Sequence, residues 1–463
     1  MDKKLQNGIL AVLVANAVNA FFSLATNFLL PQYLSIESYA GIKEFQLYVS
    51  YVGLFHFGFV DGIYLKYGGK TLDKNVGDEI STDLFTMGIF QIFVTIAALA
   101  VAIILKDKIL ILFALSILPQ NMSNYFKFLY QATGEFDQYG KTMNLTTIST
   151  FILNMILLLV VRTDVVYWYV LGYVLLYFVI WVILERYFRN KYSLNKGIRG
   201  SLANCVSNVR AGFLLTLGNV SSIFLTSMDR WFVKALMNLL AFAQYSFAVS
   251  MESFLNLAIT PITTTLYNYF CQENDMEAQR KVFNYVVVFA TIVPTAAFPV
   301  KFILEIFLTK YLDSTMVVFL LFSTQMFYIV IKSIYVNLYK AQRKQKIYFA
   351  KLLAILAVGF VFNCVCYAVV HAKESFAVGT LLSSIMWFFL SGADFRYLRL
   401  SKKTGLYIFI ELFVFLLLGI SLPSVIGCLC YVVVTIVLLI LLMNETFSNL
   451  VMYGGTMIRK LRR

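Results

Sequence analysis

Histidine is almost missing from this chain: His56 and His371 are the only two in 463 residues, and they lie far apart in sequence. A histidine-built metal centre or catalytic triad therefore has little material. Proline is scarce too, at six residues, and no Pro/Ser-rich or single-charge stretch interrupts the chain, so nothing marks a separate soluble domain or a disordered tail. The six cysteines (Cys205, Cys271, Cys364, Cys366, Cys428, Cys430) fall mostly in apolar segments. Their two Cys-x-Cys pairs lack zinc-ribbon or haem-attachment spacing, so they read as small buried hydrophobes. No Gly-rich phosphate loop, Rossmann fingerprint, His-Glu-x-x-His or Gly-x-Ser-x-Gly motif is present, which disfavours an enzyme. The most telling shortage is of charge, at 13% of residues where an ordinary soluble domain carries about 25%.

What fills the chain is apolar: 60% hydrophobic residues, 16% aromatic, mean hydropathy +0.78. Runs of about 20 apolar residues, the length needed to cross a bilayer, occur near Gly8–Leu30, Ile42–Tyr64, Asp83–Leu105, Ile109–Gln131, Met143–Val161 and Val165–Leu184. After a basic linker (Glu185–Arg210) they resume near Ala211–Val233, Leu239–Phe270, Phe283–Leu308, Met316–Tyr339, Tyr348–Val370, Ser375–Phe395, Gly405–Ile420 and Pro423–Met443. The first run is too long for a signal-peptide h-region and lacks a small-residue cleavage site, so it reads as a span. The expectation is an all-α polytopic membrane protein of about fourteen helices. Net charge is +14, but the basic residues sit in short loops and read as topology signals rather than as a nucleic-acid surface. Assigned to alternate sides, 27 lysines and arginines fall with the termini and the linker and 7 fall on the other face. That asymmetry places both termini in the cytoplasm.

The halves repeat. Asn16, Asn19, Ser23, Thr26 and Asn27 of the first span match Asn219, Ser222, Thr226, Asp229 and Arg230 of the seventh at an offset of 203, and Leu129-Tyr130-Gln131-Ala132 matches Leu338-Tyr339-Lys340-Ala341 at 209. Steps of three and four put each polar set on one helix face. Six spans separate the copies, so the expected architecture is two six-helix lobes related by a pseudo-two-fold axis normal to the membrane. The divisions are residues 1–185, the linker 186–210, residues 211–400, and spans 13 and 14 with a basic tail at 401–463. Polar faces avoid lipid, so each stripe either glues helices together or lines a polar cavity.

Charged residues within spans are costly and invite a functional account. Asp61, Lys127, Asp394 and Glu411 fall near span ends. Glu252 and Lys332 lie deepest, while Arg230 and Lys301 are nearer the outer face. Two accounts stay open: mutual pairing with Asp229 or Glu252, or a cationic cavity for an anionic head group, Arg contacting phosphate through its fork and Lys as a point charge. Candidate binding residues are Arg230, Lys332, Lys301, Asp229, Glu252, Asn16, Asn19 and Asn219. Pro261, Pro294 and Pro299 lie in the spans that carry Glu252 and Lys301 and suit hinges.

Asn27-Phe-Leu-Leu-Pro31, Tyr39-Ala-Gly41, the run Tyr48–Asp61, and Ser227-Met-Asp229-Arg230-Trp231 followed by Ala243-Gln-Tyr245-Ser246 resemble the polysaccharide flippases of the Wzx type, in the multidrug/oligosaccharidyl-lipid/polysaccharide exporter superfamily. The resemblance implies a bacterial inner-membrane flippase for undecaprenyl-pyrophosphate-linked oligosaccharide units of O-antigen, capsule or a related glycan. It implies alternating access through a cation-lined cavity, Asp229 and Arg230 at the family's motif, drive from a proton or sodium gradient, and no bound cofactor. Polymerase and other polysaccharide-assembly proteins are the implied partners. A cation-coupled multidrug exporter, a membrane glycan polymerase or ligase, and a non-transporting scaffold are the alternatives.

Overall fold

The computed structural model describes residues 3–72, 74–192, 200–273 and 275–461, and side chains within these except at residues 3–11, 13, 74, 75 and 453–461. Lys196 and Arg199 of the basic linker, and the terminal Arg462 and Arg463, lie outside the described residues. All regular structure among the described residues is helical.

The first half runs α1 (Lys3–Tyr33), α2 (Ile36–Val49), α3 (Phe59–Tyr67), α4 (Lys74–Ile104), α5 (Lys108–Ala132), α6 (Phe136–Met155), α7 (Val166–Tyr192) and α8 (Leu202–Leu236). The second runs α9 (Leu239–Glu252), α10 (Asn256–Gln272), α11 (Met276–Ile292), α12 (Ala297–Ile306), α13 (Thr315–Val330), α14 (Val336–Ala341), α15 (Gln345–Val369) and α16 (Glu374–Gly392). Then come α17 (Lys402–Ser421), α18 (Ser424–Leu442) and α19 (Asn444–Leu461).

Twelve helical stretches among the described residues are long and apolar enough to cross a membrane. The other two of the fourteen apolar runs are helices interrupted in the middle. In one, α2 gives way to a 3-10 turn at Val52–His56 before α3; in the other, α9 gives way to a 3-10 turn at Ser253–Leu255 before α10. These two breaks are the repeat made visible. Both α2 and α9 are 14 residues long, and each starts from a side-chain cap, Ser35 Oγ accepting from the Ser38 amide and Asn238 Oδ1 from the Ala241 amide. Such caps satisfy backbone donors that a helix start leaves orphaned. Discontinuous helices at matching positions of two repeats are where transporter folds place binding groups.

The chain divides into two compact units, Met1–Ser227 and Met228–Arg463, with the boundary inside α8. In the first, Phe59, Ile63, Ile80, Leu84, Tyr125, Phe126 and Phe188 form a packed core joining α3, α4, α5 and α7. Beside it the fully buried Asp83 accepts from Lys66 Nζ and Tyr67 Oη, each at 2.7 Å, and from Asn208 Nδ2 at 3.2 Å. In the second unit, α13 is the central element, with nearly every side chain from Val317 to Val330 buried. Spans α17 and α18 pack on this unit through the aromatic group Phe298, Phe319, Phe415 and Tyr431. The outward faces stay apolar, with Phe93, Ile104, Leu429 and Leu441 more than half exposed. Long helices with apolar exterior faces and internally satisfied backbones suit a hydrocarbon surround. The protein is a multi-pass membrane protein.

Candidate functional site

The second unit gathers most of the charged candidates into one group. The end of α8 contributes Asp229 and Arg230. Asp229 is buried, its carboxylate accepting from Tyr245 Oη at 2.6 Å and from the Arg230 amide at 2.8 Å, which ties α8 to α9. Glu252 is the last residue of α9, at the mouth of the helix break, and accepts a hydrogen bond from Gln325 Nε2 of α13. Arg230, Asp229 and Lys332 all lie close enough to Glu252 to act on it electrostatically. Lys332 stands in a single π-helical turn, Ile331–Tyr335, between α13 and α14, with its Nζ 5.5 Å from the Tyr328 ring centre. The turn is braced from α10, where Thr263 Oγ1 meets Ser333 Oγ at 3.0 Å and the Thr263 carbonyl accepts from Asn337 Nδ2 at 2.7 Å. One extra residue in a helical turn re-aims the side chains around it, a device found often at functional sites.

The hydrogen-bonding state of this group is lopsided. Each carboxylate already accepts, Asp229 from two donors and Glu252 from one. Among the described residues, neither the Arg230 guanidinium nor the Lys332 ammonium donates a hydrogen bond or forms an ion pair, and Arg230 Nε is buried without a partner. A guanidinium has five N–H donors and an ammonium three. The group therefore presents unfilled cationic donors within a membrane-spanning region.

Lys301 is not part of the group. Its Nζ donates to the carbonyls of Gly419 at 2.7 Å and Leu422 at 2.6 Å, with Glu305 at 3.9 Å, and so fastens α12 to the α17–α18 connection. Asn16 and Asn219 are exposed on α1 and α8. Asn19 is turned toward α6, its Oδ1 accepting from Ser23 and, at 3.1 Å, from Thr147.

Three charges sit deeper in the protein than their sequence positions suggested. Asp61 is buried against the Thr216 hydroxyl, Glu411 is fully buried with Thr435 donating to it at 3.0 Å, and Lys43 lies within α2 with its ammonium on Asn27 and Gln46. Gln325 and Tyr328 escaped sequence reasoning altogether. A neutral amide and a phenol in an apolar run carry no signal of their own, and only packing against Glu252 and Lys332 gives them a role.

No family model matches the chain, and no curated protein matches it. Among solved structures it is similar to the lipid II flippase MurJ in an inward closed conformation, at 14% identity and a TM-score of 0.56, covering 96% of this chain and 100% of that one. It is similar to the eukaryotic MATE transporter AtDTX14, at 12% identity and a TM-score of 0.56, covering 89% and 100%. An inward-facing multidrug resistance MATE family transporter of the MOP superfamily matches at 12% identity and a TM-score of 0.51, covering 84% and 98%. This chain has the two-lobed helical fold of those transporters. At such identities the likeness is one of fold.

Proposed function

We propose that this protein is a flippase that carries a polyprenyl-pyrophosphate-linked oligosaccharide from the cytoplasmic to the outer face of a bacterial inner membrane by alternating access. Both termini then face the cytoplasm, as the lysine and arginine asymmetry expects. The observation that carries this reading is the unfilled donor capacity of Arg230 and Lys332 around Glu252. A pyrophosphate offers the acceptor oxygens that Arg230 and Lys332 lack, and charge-assisted bonds to such oxygens are the strong kind. Remote from water the attraction is greater still. The breaks at 50–58 and 253–255 supply the flexible points that an opening and closing cycle requires.

The test is depletion of the protein in its host, followed by quantitation of lipid-linked oligosaccharide on each membrane face. Accumulation on the cytoplasmic face with loss of surface glycan is the expected outcome. Arg230→Ala with Lys332→Ala, at unchanged protein level, is expected to reproduce it. Normal surface glycan in that double variant would remove the pyrophosphate assignment. Unchanged lipid-linked glycan on depletion would return the cargo to the multidrug class, and outward-facing single units that fail to polymerise would indicate an enzyme.

A further inference from the structure

The repeat allows the two lobes to be compared position by position, and they differ in charge. Arg230 corresponds to Asn27 and Asp229 to Thr26 at the 203-residue offset of the first spans; Lys332 corresponds to Ser123 and Gln325 to Ser116 at the 209-residue offset of the fourth. Glu252, the last residue of α9, corresponds to Val49, the last of α2. Every charge of the second unit's cluster is replaced in the first unit by an uncharged residue.

The first unit nevertheless has a polar cavity of its own, of about 210 Å³, between α1, α6 and α7. Asn19, Ser23 and Asn27 enter from α1, Thr147 and Asn154 from α6, and Tyr177 from α7. Among the described residues no Asp, Glu, Lys or Arg lines it. Two aromatic pairs form part of the wall, Phe22 with Phe151 at 4.7 Å between ring centres and Tyr173 with Tyr177 at 4.6 Å.

Some of the polar groups are already held. Asn27 Nδ2 donates to the Ser23 carbonyl at 3.0 Å, and its Oδ1 accepts from the Lys43 ammonium at 2.6 Å. Others point into the space with capacity left. Asn19 uses only Oδ1, and Asn154 makes no side-chain hydrogen bond among the described residues. A carboxamide is donor and acceptor at once, matching a hydroxyl, which is also both. Aromatic walls offer flat apolar faces to the C–H side of a ring. A bare cation would find no carboxylate among the lining groups and the Lys43 ammonium close by, and an anion would find that one ammonium already donating to Asn27 and Gln46.

We infer that this cavity in the first lobe is a saccharide subsite, taking a neutral, hydroxyl-rich sugar residue of the cargo while the second lobe takes the anionic linkage. The inference rests on the flippase reading and assigns a division of labour to it. The repeat frames the contrast: at matched positions one copy carries amides and hydroxyls where the other carries charge.

The test uses the full chain in lipid nanodiscs and two probes, bare undecaprenyl pyrophosphate and the same lipid bearing the host's repeat unit. Binding of each is measured by native mass spectrometry for the wild type, Asn19→Leu and Asn154→Leu. The variants are expected to bind the sugar-bearing lipid at least tenfold more weakly and the bare lipid as the wild type does. A site made to hydrogen-bond a hydroxyl loses that much or more when its partner is removed. Asn19 also bridges α1 to α6, so Asn154→Leu, which breaks no internal hydrogen bond, carries the test if Asn19→Leu fails to fold. Unchanged binding of the sugar-bearing lipid, or equal loss on both probes, overturns the subsite. A wild type that binds the bare lipid as tightly as the sugar-bearing one overturns it as well, with the flippase reading intact. A wild type that binds neither lipid overturns both readings together.

Discussion

Substituting Gly212 by alanine should loosen the first unit far more than its size suggests. Helices α3 and α8 cross at Gly58, Gly62 and Gly212 with backbone against backbone. A methyl group on Gly212 would lie 2.0 Å from the Gly58 carbonyl oxygen and 2.3 Å from the Gly62 nitrogen, and one on Gly62 would lie 2.1 Å from the Asn208 carbonyl oxygen. Real contacts of that kind do not fall below about 3 Å, so the helices must part by roughly 1 Å, and close-packed interiors transmit such a shift rather than absorb it. Overpacking alone costs about 1–3 kcal/mol. The crossing is also flanked by two buried hydrogen bonds to carboxylates, Thr216 to Asp61 on one side and Asn208 to Asp83 on the other. Stretching them adds about 1–3 kcal/mol. The sum, ~2–6 kcal/mol, corresponds to a fall of roughly 4–24 °C in the melting temperature of a unit of this size.

The assay is the melting of detergent-purified protein followed by fluorescence-detected size exclusion. The matched control is Gly218→Ala on the same helix, where an added methyl meets nothing within 4 Å and the better helix former should leave stability level or slightly raised. If Gly212→Ala melts within about 1 °C of Gly218→Ala, the backbone contact is not what holds α3 to α8.

Lys301→Met is expected to lower the amount of folded protein without changing transport per molecule, because its ammonium satisfies the Gly419 and Leu422 carbonyls instead of facing cargo. Surface glycan normalised to protein level checks this, and a per-molecule defect would show that Lys301 acts on substrate. Asp394, just beyond α16, accepts from Lys351 at 2.8 Å and Tyr339 at 2.7 Å. Burial pushes its pKa upward, but the Lys351 and Tyr339 hydrogen bonds and the nearby Lys344 outweigh that and hold it below the usual carboxylate value. A depressed carboxylate contributes stability that is complete above the unfolded value near 4 and is lost as pH falls through the folded one. Asp394→Asn should therefore melt below wild type at pH 7, with the gap closing below about pH 4. A gap that stays constant over that range would remove the ion pair as its cause.

Much of the architecture was legible in the chain because membrane crossing is a local property. Each apolar run is long enough to span on its own, and lipid forces its backbone into a helix whatever its neighbours do. The 203-residue match of polar stripes likewise anticipated two lobes, since a shared spacing on a helix face survives without knowledge of what it faces. Depth estimated along a run could not decide what a charge does there. Lys301 and Lys332 look alike in sequence, two lysines within apolar spans, yet one ammonium is tied to two carbonyls and the other has no hydrogen-bond partner among the described residues. Glu411 and Asp61 looked interfacial and are buried against hydroxyls. The breaks after Val49 and Glu252 were equally hidden, because a 3-10 turn between two apolar half-helices leaves hydropathy unchanged. The chain alone determined which segments cross and that they repeat, for hydrophobicity and periodicity are summed along neighbours in sequence. Only the tertiary structure decided which donors remain unfilled, because a hydrogen-bond partner such as Gln325 for Glu252 arrives from 73 residues away.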